Sequence, residues 1–430
     1  MTATATTPRA SSATALSVET IPLDDVRQLI PFLDARHPLL WLRKGEGLAG
    51  IGTALRLEFS GADRMRSAAT AWGDVVSRSA VVDPITKPGT GLVAFGTFTF
   101  ADDSALPSVL IVPEVVIGRR DGRSWITHIR AVEPDAEEGG PEAKTPRRGN
   151  PQPTPFGDEY RLSLLAGSLK KDGYKAIVAE AVERIREHDL GKVVLARDLV
   201  GHLPHESDLR RALVELALGY PECWTFAVDG LVGSSPETLV RVDHGAVSAR
   251  VLAGTISRGS DAAADHDAAV SLATSTKDQD EHRYAVESVI DALAPHSAGL
   301  AASDIPFTLK LPNLWHLATD VAGTLSDGST SLDLLDALHP TAAVAGSPTA
   351  EAVALIRELE PFDRGRYAGP VGWVDADGDG EWAIALRCAQ VAETGDLTAY
   401  AGCGIVADSD PERELAETMM KFRPIVEAFG

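Results

Sequence analysis

The segment CWTFAVDGLVGSSPETLVRVD (residues 223–243) contains two strand-like runs, CWTFAVDG and LVRVD, joined by turn residues and not by a helix. Further strand-like runs lie at residues 55–60, 92–100, 108–120 and 192–200. Helical periodicity occurs at residues 173–188, 208–219, 280–294, 331–339, 348–359 and 411–429. Strands and helices thus follow one another in mixed order, without a repeating βαβ alternation. This order predicts an α+β domain with large, mainly antiparallel sheets.

The length and composition of the chain allow a large core. Of its 430 residues, 44% are hydrophobic. Residues 1–18 are small and polar, with one arginine and no apolar run, so we predict a flexible tail and not a secretory signal. An organelle transit peptide is the weaker alternative. Residues 134–157 are rich in proline, glycine and charged residues, which predicts an exposed loop.

The charge and the cysteine content argue against several classes of partner. The formal net charge of -22 disfavours binding to nucleic acid or to anionic lipid, and no stretch has the length of a membrane span. The three cysteines form no CxxC pair, which is typical of a reducing, cytoplasmic interior. A small anionic substrate would need a local positive site built from a metal or from buried Arg and Lys side chains.

Arg387 stands in the segment EWAIALRCAQV (381–391), which predicts one continuous strand with apolar residues on both faces. A charge in such surroundings needs an anionic partner, because an unpaired buried charge is strongly destabilising. The sequence leaves two partners open, which are an internal glutamate and a carboxylate of a ligand.

Lys192 and Glu237 each have a structural and a chemical interpretation. Lys192 opens the strand KVVLAR (192–197), where a lysine commonly extends to solvent. Alternatively, a buried lysine near other positive charges could accept a proton near neutral pH. Glu237 follows a proline-fixed turn in GSSPETLVRV, so it is either a strand-edge acid or a buried acid that can donate a proton.

Acidic residues on two predicted helices form a third group. In SDPERELAETMMKF (409–422), Glu414, Glu417 and Lys421 share one helical face. Glu281 lies near the start of the helix KDQDEHRYAV, where acids also suit the helix dipole. These acids are either solvated surface or ligands for a hard cation such as Mg²⁺. The predicted strand AYAGCGIV (399–406) leads into the helix that carries Glu414 and Glu417. The glycines of this strand permit close approach of a ligand.

In their order along the chain, these segments resemble the chorismate-utilising enzymes, and most closely the isochorismate synthases. The resemblance runs from about Leu165 to Arg423. It rests on the ordered series GKVVLAR, GSSPETLVRV, LAGTISRG, KDQDEHRYAV, LPNLWHLATDVAGTL, LHPTAAVAGSP, ELEPFDRGRYAGPVGW, GDGEWAIALRCAQV and AGCGIVADSDPERELAETMMK. It implies sheets packed face to face with helices outside, in one catalytic domain over 19–430 whose chorismate-binding core spans about 165–425.

The resemblance also implies a Mg²⁺-dependent conversion of chorismate to isochorismate. Lys192 is expected to activate a water that attacks C2 of chorismate, and Glu237 to protonate the departing C4 hydroxyl. Glu281 and Glu417 are expected to bind Mg²⁺, with Glu414 in contact directly or through water. The remaining substrate-binding residues implied by the resemblance are Gly254, Thr255, His316, Ala343, Val344, Tyr367, Arg387, Gly402, Cys403 and Lys421.

Differences within the family narrow the expected activity. Ala253 stands where aminodeoxychorismate synthases with a covalent nucleophile have a lysine. Lys192 is a base that anthranilate synthases lack, so no glutaminase partner is expected. Ala343, Val344 and Tyr367 resemble the isochorismate type, although close relatives have leucine in place of Val344 and phenylalanine in place of Tyr367. Salicylate synthase, which goes on to eliminate pyruvate, is the alternative. The family suggests a monomer, and its product could feed menaquinone, a catecholate siderophore or salicylate.

Overall fold

The computed structural model describes residues 14–132, 150–187, 190–303 and 305–430. The strands are β1 (Ala15–Leu23), β2 (Leu39–Arg43), β3 (Glu46–Ile51), β4 (Leu55–Phe59), β5 (Ala80–Val82), β6 (Val93–Thr97), β7 (Ser108–Val112), β8 (Val115–Arg120), β9 (Arg123–Val132), β10 (Leu165–Ala166), β11 (Lys192–His202), β12 (Trp224–Val228), β13 (Leu231–Ser235), β14 (Thr238–Asp243), β15 (Ala246–Ser257), β16 (Ser297–Ala302), β17 (Phe307–Lys310), β18 (Leu314–Leu325), β19 (Gly346–Ser347), β20 (Pro370–Asp375), β21 (Gly380–Ile384), β22 (Cys388–Val391) and β23 (Asp396–Ile405). The helices are α1 (Arg64–Arg78), α2 (Lys171–Glu187), α3 (Arg210–Gly219), α4 (Ala262–Thr274), α5 (Thr276–Leu293), α6 (Ser331–Leu338), α7 (Thr349–Leu359) and α8 (Pro411–Phe429), with a 3-10 turn at Ile30–Phe32.

These strands form two large sheets. Among the described residues, thirteen strands form the larger sheet in the order β10-β11-β23-β22-β13-β12-β2-β3-β8-β9-β1-β5, with β19 also paired to β11. The smaller sheet has ten strands in the order β16-β18-β15-β14-β21-β20-β6-β7-β4, with β17 also paired to β18. Within the described part of the chain the strand pairs are antiparallel, except that β1 and β5 are parallel. The predicted α+β fold with mainly antiparallel sheets is confirmed.

The segment 223–243 shows how one stretch of chain serves both sheets. Strands β12 and β13 form a hairpin through Asp229 and Gly230, which both have positive φ angles, as a two-residue turn of this type requires. The chain then passes through Pro236 and Glu237 and continues as β14, which pairs with β15 and β21 in the other sheet. Glu237 therefore lies where the chain crosses from the larger sheet to the smaller one.

A second crossing replaces the continuous strand that was predicted over residues 381–391. That prediction is wrong, because β21 belongs to the smaller sheet and β22 to the larger one. Between them Arg387 adopts a φ of 49°, which takes the chain out of the extended conformation. The two crossings are hydrogen bonded to each other: Ile384 N donates to Glu237 O (3.2 Å) and Ser234 N donates to Arg387 O (3.1 Å).

The structure also bears on the predicted N-terminal tail and on the predicted loop over residues 134–157. The predicted tail boundary at residue 18 is wrong, because β1 begins at Ala15 and the side chains of Leu16 and Val18 are buried in the core. Residues 150–157 of the predicted loop contain no helix or strand and are largely exposed, while the rest of that loop lies outside the described residues. No helix within the described ranges combines the length and the apolar character needed to cross a membrane.

Glu381 joins the two sheets inside the core. Its carboxylate, on β21, accepts hydrogen bonds from Trp41 Nε1 (2.9 Å) on β2 and from Arg120 (2.8 Å) on β8. Trp373 Nε1 (3.3 Å), on β20, is a further donor, and Arg241 Nε lies 3.4 Å from the same group. The buried negative charge is therefore paired and hydrogen bonded, as its burial requires.

Removing this carboxylate should destabilise the fold. We expect Glu381→Ala to lower the free energy of unfolding by about 3 to 5 kcal/mol, because Arg120 and two indole N–H groups lose their acceptor. Urea denaturation measures the change. Glu393→Ala is the control, since Glu393 is exposed and its loss should change stability by no more than about 0.5 kcal/mol. Equal stability of the Glu381 and Glu393 variants would contradict the bridging role.

Candidate active site

A cavity lies where the two crossings, β11, β15, β18, β23 and the helices α5 and α8 meet. Its lining residues are Val194, Pro236, Glu237, Leu252, Ala253, Gly254, Thr255, Glu281, His316, Ala343, Val344, Tyr367, Ala368, Leu386, Arg387, Gly402, Gly404, Glu417 and Lys421. The structure thus brings together all the residues that the sequence predicted for a site, except that Lys192, Glu414 and Cys403 lie beside the lining and not on it. Their assigned roles stay predictions.

Lys192 is buried at the start of β11 and points toward the cavity side of that strand. Its side chain is 1% exposed, so the interpretation as a lysine extending to solvent is wrong. Its Nζ lies 3.0 Å from Oε1 of Glu281, a residue of α5. Val194, two positions along the same strand and therefore on the same face, lines the cavity. The lysine is held one side chain away from the cavity, in contact with one of its acids.

Glu237 is a buried acid at the first crossing. Burial raises its pKa to about 7, against the opposing effects of the Lys192 charge, a hydrogen bond from the backbone of Leu252 and the more distant charge of Arg387. A carboxyl group with this pKa keeps its proton up to neutral pH and can donate it. The interpretation of Glu237 as a buried proton donor fits this environment better than that of a strand-edge acid.

Arg387 pairs with no carboxylate of the described residues. It is buried, and none of the described Asp or Glu side chains lies within ion-pair distance of its guanidinium group. The glutamate that shares its sequence segment, Glu381, is bound to Arg120 instead. Burial lowers the pKa of Arg387, although an arginine remains charged in proteins. The cavity therefore presents a buried cation that a ligand carboxylate could pair.

His316 orients this arginine. Its Nε2 lies 3.3 Å from a terminal nitrogen of Arg387, and its Nδ1 lies 2.9 Å from Thr255 Oγ1 and 3.3 Å from Gly254 O. Burial, together with the charges of Arg387 and Lys421, lowers the pKa of His316 well below its usual value, so the ring is neutral. Because a guanidinium group can only donate, Nε2 accepts and Nδ1 carries the proton.

Carboxylates from two helices face the cavity. Glu417 on α8 lies 2.6 Å from Nζ of Lys421, whose ammonium group also donates to Gly402 O (2.8 Å). Ligand atoms of Glu414, Glu417 and Cys403 lie within 4.8 Å of one another. The carboxylate oxygens suit a hard cation, whereas burial raises the pKa of the Cys403 thiol well above its usual value and keeps it protonated. The carboxylate oxygens of Glu414 and Glu417 are thus of the type that a hard cation such as Mg²⁺ prefers, whereas a protonated thiol is not.

Cys403 itself faces away from the cavity. Its thiol donates to Glu414 O (3.4 Å), so only the neighbouring Gly402 and Gly404 of β23 expose their backbone to the cavity. Gly404 was not among the predicted residues. A Cβ atom at this position would lie 2.4 Å from Glu281 Oε1 and 2.7 Å from Lys192 Cε. The second glycine of AGCGIV was the signal that could have identified it.

Other lining residues were also missed from the sequence, namely Val194, Pro236, Leu252, Ala368 and Leu386, while Ala253 had been considered only for the subclass. Val194 could have been found from its alternation with Lys192. Leu386 could not, because the predicted continuous strand hid the second crossing. Gly254 produces a bulge in β15, where its φ of 78° coincides with a shift in register between Ala253 and Thr255.

The family model described as chorismate binding enzyme matches residues 9–430 of this chain. The chain belongs to the chorismate binding enzyme family. Isochorismate synthase DhbC of Bacillus subtilis is 41% identical over 60% of this chain and 68% of its own length. Isochorismate synthase MenF of Bacillus subtilis is 35% identical over 64% of this chain, but the match spans only 59% of that relative. The structure of DhbC from Bacillus anthracis has a TM-score of 0.75 and 29% identity, and the match covers 93% of this chain and 98% of that one. The family predicted from the sequence is confirmed.

In this chorismate binding enzyme, the pKa of Glu237 predicts a pH-dependent stability. Below about pH 4.5 the folded and unfolded chains both hold this proton. As the pH rises from 4.5 to about 7 the unfolded chain loses it first, so this group lowers the free energy of unfolding, by roughly 3 kcal/mol in total. Glu237→Gln removes the effect. Its stability relative to wild type should therefore rise through this window and level off above pH 7.

Urea denaturation at a series of pH values measures this difference. Glu222→Gln is the control, since Glu222 is a half-exposed surface acid paired with Lys44. Its curve should run parallel to that of the wild type. A parallel curve for Glu237→Gln as well would contradict the raised pKa.

Proposed function

We propose that this protein is a Mg²⁺-dependent isochorismate synthase. One observation carries the proposal: a buried acid with a pKa of about 7 and an arginine that pairs with no described carboxylate line one cavity, and a buried lysine lies directly beside it. These groups provide a base, an acid and an anchor for a substrate carboxylate. The names of the relatives support the same activity.

The proposed reaction adds water at C2 of chorismate and removes the C4 hydroxyl as water, while the ring double bonds shift. One water enters and one leaves, so the composition of the substrate is unchanged. Lys192 takes a proton from the attacking water. Glu237, which is protonated at neutral pH, gives a proton to the departing hydroxyl. A positioned base and a positioned acid each contribute roughly 10² to 10⁴ to the rate.

Binding of the substrate must overcome the charge of the protein. Chorismate is a dianion, and the chain has a formal net charge of -22. Arg387 is buried on the cavity lining, and Lys421, whose side chain is 11% exposed and paired with Glu417, adds positive charge there that attracts carboxylates. Glu281 and Glu417 would hold Mg²⁺, with Glu414 in contact directly or through water, and the bound ion would add positive charge for the ring carboxylate.

Salicylate synthase is a second candidate, and the observation that bears on it is the tyrosine hydroxyl at position 367, where close relatives are expected to have phenylalanine. Its ring is buried on the cavity lining, and its hydroxyl lies 3.1 Å from the position of a Cβ atom at Gly402. Burial raises the pKa of Tyr367 to about 12, so this hydroxyl stays protonated. A hydroxyl at this position could take part in the elimination of pyruvate after isochorismate has formed.

We further propose a cytoplasmic monomer that acts without a glutaminase subunit. The three cysteines are buried and form no disulfide, as expected in a reducing compartment. Lys192 supports water, and not ammonia, as the nucleophile.

Incubation of the pure protein with chorismate, with Mg²⁺ or with EDTA, tests the activity. Chromatography should show isochorismate with Mg²⁺ and no turnover with EDTA. Lys192→Ala and Glu237→Gln should each lower kcat by about 10²-fold or more, because each removes a proton-transfer group. Glu281→Ala should abolish the Mg²⁺ dependence together with the activity. Glu287→Ala, an exposed acid on the same helix, is its control and should keep both.

The products decide between the outcomes. Salicylate and pyruvate as the main products would show that the protein is a salicylate synthase and not an isochorismate synthase. Absence of turnover at all Mg²⁺ concentrations would overturn both candidates.

Gly404→Ala tests the geometry around the base without changing any charged group. The added methyl group would collide with the side chains of Glu281 and Lys192, so we expect these to shift and kcat to fall by about 10²-fold. Gly219→Ala is the control, because a Cβ atom at this helical glycine meets no other atom within 4 Å. Kinetics with chorismate and Mg²⁺ measure both variants. Wild-type kcat for Gly404→Ala would show that the close packing at β23 is unimportant.

A further inference from the structure

Glu360 and Arg364 form an ion pair that lies entirely inside the protein. Their side chains are 1% and 2% exposed. Nε of Arg364 donates to Oε2 of Glu360 (2.8 Å), and a terminal nitrogen donates to Oε1 (2.6 Å), so the contact is bidentate. The guanidinium carbon lies 4.4 Å from the ring centre of Phe100. This arrangement fixes the guanidinium plane in one orientation.

The pair replaces a missing neighbour strand on the outer edge of β11. Strand β19 covers Lys192 and Val193 on this edge, and β10 covers Leu199 and Val200. Between them, Arg364 donates to Val194 O (2.7 Å), and Glu360 Oε1 accepts from Ala196 N (2.7 Å). The side chains of the pair therefore hold the middle of the strand that begins with Lys192.

The same guanidinium group also contacts the cavity-wall segment that lies next to β11, where Val194 N donates to Ala345 O (2.8 Å). It donates to Val344 O (3.0 Å), and its carbon lies 5.9 Å from the ring centre of Tyr367. Val194, Val344 and Tyr367 all line the cavity. A single planar cation thus ties two separate chain segments of the cavity wall to each other and to the strand that carries the proposed base.

A second buried arginine in the same loop provides a contrast. Arg366 binds the side chain and backbone of Asp229 and donates to Pro107 O. None of these partners lines the cavity. Arg366 therefore fixes the loop elsewhere, and its neighbour Asp229 keeps a further cationic partner, Arg56 (2.6 Å).

We propose that Glu360 and Arg364 are positioning residues that fix the neighbouring cavity-wall residues Val194 and Val344 and keep Lys192 in reach of the attacking water. The proposal rests on the proposed function of the cavity. Replacing a buried ion pair by uncharged groups is often neutral for stability, so fold stability alone does not account for this pair. The specific effect of the ion pair is that Lys192, Val194 and Val344 keep fixed distances from one another.

The double variant Glu360→Gln with Arg364→Met tests this role. It leaves no unpaired buried charge, and the amide carbonyl introduced at position 360 can still accept from Ala196 N, but Val194 O and Val344 O lose their donor. We expect kcat to fall by about 10²-fold, because small displacements of reacting groups have effects of this size. KM should stay near the wild-type value, since Arg387 and Lys421 are unchanged. Arg364→Lys, which can still donate to part of this set, should lie between the double variant and the wild type.

Arg366→Met is the matched control. It removes a buried arginine of the same loop, so it should keep the kcat and KM of the wild type even where it lowers the melting temperature. A purely structural role of Arg364 would instead make kcat follow the melting temperature in all variants. Wild-type kcat in the double variant, or an equal loss of kcat in Arg366→Met, would overturn the proposal. If the double variant does not fold, the same comparison is made between Arg364→Lys and Arg366→Met.

Hydrogen exchange separates this proposal from the proposed function. The backbone amides of residues 193–196 and 343–346 should exchange faster in the double variant, or in Arg364→Lys, than in Arg366→Met and the wild type. If the wild type does not convert chorismate, the proposed function fails while the exchange data still decide whether the pair positions these segments. Unchanged exchange in the Arg364 variants would overturn the positioning role by itself.

Discussion

The site depends on two chain segments that leave one sheet and enter the other side by side. One passes through Pro236 and Glu237, and the other through Leu386 and Arg387. Hydrogen bonds between Ile384 and Glu237 and between Ser234 and Arg387 keep them paired during the crossing. Because buried backbone groups need hydrogen-bond partners, moving one segment without the other would break these bonds at a cost in free energy. The proposed acid and the proposed carboxylate anchor are therefore held at a fixed distance by backbone bonds and not by their own side chains.

Charge is distributed unevenly between the surface and this cavity. The chain is strongly acidic overall, yet two buried cations, Lys192 and Arg387, and the partly buried Lys421 lie close to one another. Two of these cations are neutralised by Glu281 and Glu417, which are the proposed Mg²⁺ ligands, and Arg387 is oriented by a neutral histidine. This arrangement lets the protein bury positive charge stably while leaving one cation for an anionic ligand.

Strand-like runs and helical periodicity, which are local signals, predicted the fold class, and the family resemblance of the ordered motifs implied most of the cavity lining. What it could not predict depends on conformation or on contacts distant in sequence. The positive φ angle of Arg387 divides a stretch that otherwise reads as one strand. Helices α1 and α4 were not predicted, and the tail boundary was placed too late because Leu16 and Val18 are covered only by the folded sheet. Glu360 and Arg364 lie in the motif ELEPFDRGRYAGPVGW, but their hydrogen-bond partners on β11 are more than 160 residues away in the sequence.

The filled outer edge of β11 has a further consequence for association between molecules. A sheet of thirteen strands ends in two rows of backbone groups that could pair with another chain. At one end, short pieces of strand and two buried side chains occupy these groups along most of β11. At the other end, β5 is only three residues long. Within the described residues, short strands and side chains thus cover part of both edges, which reduces the backbone available for edge-to-edge pairing with another molecule.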